Sequence, residues 1–197
     1  MLIAKIVSGG QTGVDRGALE AAVEHGLDYG GWLPKGRKCE DGPLDAKFDR
    51  MAEMKRADYL KRTEQNVVDS DATVVFCHGD PSGGTKRTIG FCEKHRRPYW
   101  VFDLDRRDPD APPAVDLDDE LEYLCWRCSK DSIVLNVAGP RESKCPGIQA
   151  EVKSLILRFL RLEALHCGGK ARRPTEMTWL AEREKREMRK REERKER

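Results

Sequence analysis

The chain has 197 residues, 38% hydrophobic and 37% charged, with a formal net charge of +2. That length fits one domain with a sizeable core plus an appendage. The last 28 residues, from Lys170, hold 12 of the 37 basic and 7 of the 35 acidic side chains, so a tail at +5 follows a body at −3. An acidic body is disfavoured as a nucleic-acid binder, and any anion site in it must be local. No apolar run approaches a membrane span and no signal-type segment opens the chain, so a cytoplasmic protein is expected. Seven scattered cysteines, an odd number, point to free thiols in a reducing compartment.

In chain order, Leu2 to Val7 reads as a strand, Ser8-Gly9-Gly10-Gln11-Thr12-Gly13 as a tight loop and Val14 to His25 as a helix. Glycines there permit positive φ, and first-turn amides with the helix dipole favour an anion, most simply a phosphate. Loops of this kind also occur without a ligand. Gly26 caps the helix, and Tyr29 to Leu33 makes a second strand. Lys35 to Pro43 reads as a loop carrying Lys35, Arg37 and Lys38, either solvated or part of an anion pocket. Asp45 to Ala57 is ambiguous, with Met51, Met54 and Ala57 suiting one face of a short helix.

Tyr59 to Asp69 is helical, with Arg62 and Asn66 on one face and surface placement the simpler expectation. Asp71 to Cys77 reads as a strand buried on both faces, which implies a parallel sheet. A second glycine-rich corner follows, Gly79 to Thr85, opening a helix that ends before Pro98. If the strands before the two corners are neighbours, both loops flank one crevice at the strands' carboxyl ends. Tyr99 to Leu104 is a further strand, Asp105 to Val115 a surface connection and Leu117 to Ser129 a helix carrying Cys125 and Cys128. That pair lacks a matched partner pair, so no structural metal is expected. Ile133 to Ala138 is the fifth strand, with Arg141 and Ser143 at its exit, and a helix with a wide apolar face follows Pro146. Gly168-Gly169 marks the boundary between the body, 1–167, and a charged helical or disordered tail, 168–197.

The strings SGGQTGVDRGAL, GWLPKGR with EDGP, RTEQNVVDSD, the GGT loop and NVAGPRES resemble the molybdenum carrier proteins, the molybdenum cofactor carriers, from about Lys5 to Leu160. The resemblance implies a Rossmann-like α/β fold, here a five-stranded mostly parallel sheet in three layers. It also implies a homo-oligomer, dimer or tetramer, that stores molybdenum cofactor, a phosphate-bearing pterin, or passes it to a molybdoenzyme. Carried onto this chain, Gly9, Gly10, Gln11, Thr12 and Gly13 with Arg16 hold an anionic end. Lys35 and Arg37 lie beside it, Ser82, Gly83, Gly84 and Thr85 face it, and Arg141 and Ser143 contribute from the last strand. The loops are also similar to those of the cytokinin-activating phosphoribohydrolases, which gives a nucleoside-monophosphate N-glycosidase or a nucleotide sensor as the alternative. Lys86, Arg87 and Thr88 stand where that pattern wants a carboxylate. Cys39 and Cys145 sit in expected rim loops, where a thiol is more commonly buried or solvated than in contact with a ligand.

Overall fold

The computed structural model describes residues 2–106, 121 and 123–166. The 105–115 connection beyond residue 106, the first part of the 117–129 helix and the whole 168–197 tail lie outside these. Within them the strands are β1 (Ile3–Val7), β2 (Asp28–Leu33), β3 (Lys38–Cys39), β4 (Gly42–Pro43), β5 (Met51–Glu53), β6 (Ala72–Cys77), β7 (Tyr99–Asp103) and β8 (Ile133–Ala138). The helices are α1 (Val14–His25), α2 (Tyr59–Val68), α3 (Gly83–Lys94) and α4 (Ile148–His166), and residues 123–127 are also helical.

The main sheet is six-stranded, in the order β5-β2-β1-β8-β6-β7, and every pairing in it is parallel. This corrects the expected five strands. The sixth is β5, whose Met51 to Glu53 pair with Gly31 to Leu33, where a helical face had been the alternative. The segment read as a loop around Lys38 is a two-stranded hairpin, β3 with β4.

Connections from β1 lead one way along the sheet and those from β6 the other. Right-handed crossovers then put the helices on opposite faces, and α1 packs on α4 while α2 packs on α3. All six residues of β6 are buried, as a central strand covered on both faces requires. Ile3, Ile6, Val74, Leu135 and Val137 meet Leu19, Val152, Leu155 and Phe159 in the core.

The chain reverses its winding around β8. This strand lies between β1 and β6, so the strands preceding the two glycine corners are not neighbours, as the simplest arrangement had them. Each is instead paired to β8, and both corners open at the same carboxyl rim.

Candidate functional site: two glycine corners around the end of β8

At the first corner, Gly10 and Gly13 take φ of 68° and 78°, in the left-handed region that favours glycine. A Cβ on Gly13 would also overlap the Pro140 carbonyl and the Glu142 amide, so the corner is pressed directly onto the chain leaving β8. From Gln11 to Val14 its amides are spoken for, while nothing among the described residues accepts from those of Gly9, Gly10, Asp15 and Arg16. The Thr12 amide donates to Gln11 Oε1 at 3.0 Å, the Gly13 amide to Gln149 Oε1 at 3.2 Å and the Val14 amide to the Pro140 carbonyl at 3.2 Å. The Gln11 amide donates to the Asp15 carboxylate. From the β3–β4 hairpin, Glu40 accepts a hydrogen bond from Thr12 Oγ1, while its own amide donates to Gln11 Oε1 at 2.8 Å.

The second corner contrasts with this. Ser82 precedes α3 in extended conformation, and its hydroxyl makes no capping bond. Among the described residues nothing accepts from the amides of Gly83, Gly84 or Thr85. Three first-turn donors and the positive end of a 12-residue helix therefore face outward. The loop behind them is anchored by the Gly79 amide on Asp103 Oδ1 at 3.0 Å. His78 adds to the anchor, lying between Asp105 at 2.6 Å and Glu151 at 3.0 Å. The Asp105 carboxylate foremost holds the His78 imidazole above its usual pKa.

Between the corners lies a cleft of about 410 Å³, floored by Asn136 to Pro140 of β8 and its exit. Its cations are Arg62, Arg87, Arg141 and Lys144, and its one carboxylate among the described residues is Asp15. Arg62 projects from α2 and is 9% exposed, with a terminal nitrogen 3.4 Å from Asp15 Oδ2 and a buried Nε that has no partner. A Cβ on Gly9 would overlap this guanidinium, so glycine is what lets Arg62 lie against the loop backbone. Burial pushes the Asp15 carboxyl up, and the Arg62 charge opposes that shift.

Of the residues expected from the sequence, Gly9, Gln11, Ser82, Gly83, Gly84, Thr85, Arg141 and Ser143 line the cleft, while Gly10, Thr12 and Gly13 form the corner behind it. The structure draws three cations elsewhere. Arg16 makes a bidentate pair with Asp41. Arg37 donates to the carbonyls of Leu44, Asp45 and Phe48 at 3.0 to 3.1 Å and so holds a loop together. Lys35 lies on the exposed strand exit, outside the cleft lining.

Arg62, Asn66, Arg87, Lys144 and Tyr59 line the cleft without having been singled out for it. Arg62 and Asn66 carried a signal: two polar side chains four apart on one helix, both buried where surface placement was the simpler expectation. Asn66 accepts from the Trp32 amide at 2.7 Å, which ties α2 to β2 and aims Arg62 inward. Among the described residues Cys39, Cys125, Cys128 and Cys145 form no disulfide; Cys39 donates to the Gly10 carbonyl, and burial raises its pKa. No cluster among the described residues is arranged to hold a metal ion.

The model of the circularly permutated YpsA SLOG family matches residues 6–160. The chain belongs to this family. A solved structure described as "Putative molybdenum carrier protein", from Syntrophus aciditrophicus SB, is 40% identical. It superposes with a TM-score of 0.71 over 81% of this chain and 96% of its own. None of the curated proteins matches. Fold and family thus agree with the Rossmann-like α/β reading, and among the described residues no helix is long and apolar enough to cross a membrane.

Proposed function

We propose that the chain is a binding and carrier protein for an anionic, phosphate-bearing ligand, molybdenum cofactor, held in the cleft over β8 and stored or handed to a molybdoenzyme. The observation that carries this reading is the second corner. Unpartnered amides of Gly83, Gly84 and Thr85 share a cleft with Arg62, whose buried Nε lacks an acceptor. Together they offer neutral and charged donors to one oxyanion. The related structure's description as a molybdenum carrier selects among phosphate-bearing ligands. A homo-oligomer and a cytoplasmic location belong to the same proposal. The glycosidase alternative needs a carboxylate free to act on a sugar, whereas the one lining this cleft is bonded to the Gln11 amide and paired with Arg62.

The test is to incubate the full chain with cofactor released from a molybdoenzyme, then measure molybdenum and pterin phosphate eluting with the protein. Both are expected to co-elute in equal amounts, and Arg87→Ala is expected to weaken retention about tenfold. No retention of cofactor, molybdate or pterin would overturn the reading, and so would release of free base from nucleoside monophosphates.

A further inference from the structure

The first corner is closed by two carboxylates from one hairpin turn. Glu40 accepts from Thr12 Oγ1, from the Ser143 amide at 3.2 Å and from the Ser143 hydroxyl at 2.6 Å. Its neighbour Asp41 takes both ends of the Arg16 guanidinium. Arg141 adds its charge to the field on Glu40. Two hydroxyls, a backbone amide and nearby guanidinium groups around one carboxylate are what a tetrahedral oxyanion would ask for. Ser143, which supplies two of these donors, also lines the cleft, so the Glu40 carboxylate lies beside the cleft, bonded to a residue of its lining.

The hairpin that carries these carboxylates is slight. Each strand has two residues, and Glu40 and Asp41 form the exposed turn. Isolated two-stranded hairpins are marginal in water, so this one is held down by what its tip touches. Its contacts include the polar ones already named and the Cys39 thiol on the Gly10 carbonyl, with Cys39 packed against the edge of the core and Leu44 buried where the chain leaves β4.

We propose that the β3–β4 hairpin is a displaceable strap, its Glu40 carboxylate occupying a second oxyanion subsite of the cleft that a ligand's far end takes by lifting the hairpin. The proposal rests on the cleft being the ligand site. The strap and the second anion compete for Thr12 and Ser143, and lifting it also frees Arg16. A ligand with one anionic group leaves the strap down, and one with two opens it.

The test titrates the full-length chain calorimetrically with inorganic phosphate. Glu40→Gln with Asp41→Asn removes the internal anions, and the folded double variant is expected to bind one more phosphate per chain than the unsubstituted protein. The added site should be at least tenfold tighter than any second site in the parent. Glu24→Gln with Glu93→Gln makes the same change in net charge away from the site and should add none. An unchanged count in the strap variant overturns the proposal, and so does an equal gain in the control. If the unsubstituted chain binds no phosphate, the carrier reading loses its support while the strap is still judged by whether the count rises from zero to one. Should the double variant not fold, Glu40→Gln alone, which leaves Asp41 on Arg16, carries the same comparison.

Discussion

The two glycine corners follow the same plan of strand, small residues and helix, yet they end differently. At the corner before α1 the protein itself takes up the amides from Gln11 to Val14, through Asp15, Gln11, Gln149 and Pro140, and Glu40 takes up the Thr12 hydroxyl. The corner before α3 keeps three amides free among the described residues. A glycine-rich turn at a helix start therefore signals a place where backbone donors converge, and the rest of the chain decides whether they are left for a ligand. Here the loop of the first corner is tied into the framework, with glycine needed for close packing, and the helix start of the second is left open.

Substituting one glycine in each corner is the strongest way to break that contrast. Gly13→Ala forces a Cβ into Pro140 and Glu142 at positive φ and is expected to cost about 3 kcal/mol of stability in urea unfolding. Gly84→Ala meets nothing within 4 Å inside a helix and is expected to stabilise by about 0.5 kcal/mol. Equal effects would abolish the distinction.

Arg62→Lys sharpens it from the cleft side. The lysine keeps a charge for Asp15 but loses the guanidinium Nε, so phosphate affinity should fall by about 1.5–3 kcal/mol in a calorimetric titration. Unaltered affinity would take Arg62 out of the ligand's reach.

The strap should respond to acid. Hydrogen bonds from Ser143 and Thr12 hold the Glu40 carboxyl below its usual range, and those from Arg16 hold the Asp41 carboxyl below its own. A depressed carboxyl stabilises above the unfolded value near pH 4, and that contribution is lost as pH falls through the folded value. Amide exchange at Ser143 is expected to accelerate below about pH 4, beyond the intrinsic trend at its neighbours. His78 runs the other way. Raised by Asp105, it stabilises its loop below about pH 6.5 and loses that contribution as pH rises through its folded value, which an imidazole titration by NMR would register. The smallest effect is expected of Arg16→Ala. Its partner Asp41 is half exposed, and such a pair contributes about 0.2–1 kcal/mol in a double-mutant cycle with Asp41→Ala.

Much of the architecture could be read from residue pattern. The continuous apolar run Ala72 to Cys77 announced a doubly covered strand, and the periodicity of Val14 to His25 a helix. Strand β5 escaped because three residues carry no measurable period, and their strand character comes from pairing with β2. Strand order escaped as well, since the placement of β8 between β1 and β6 is a long-range choice that no local signal encodes. Around the cleft, residue type pointed to both loops and to one of the cations, Arg141, but not to Arg62, Arg87 or Lys144. Arg37 and Arg62 look alike in a sequence, yet one folds back onto three carbonyls and the other is held over the cleft floor by a helix that Asn66 ties to β2. Composition cannot tell a guanidinium that stitches a loop from one that is buried in a cleft with an unpartnered Nε.

Strand β8 also sets a timetable. It is synthesised after every other described strand and inserts between two that have waited since residues 3–7 and 72–77, pairing Ile3 with Ile133 across most of the body. Until it emerges from the ribosome, β1 and β6 lack their shared neighbour, and the two half-sheets expose unpaired edges. Such remote pairing slows folding, and the cleft floor shared by the two corners is not in place until the last third of the body is made.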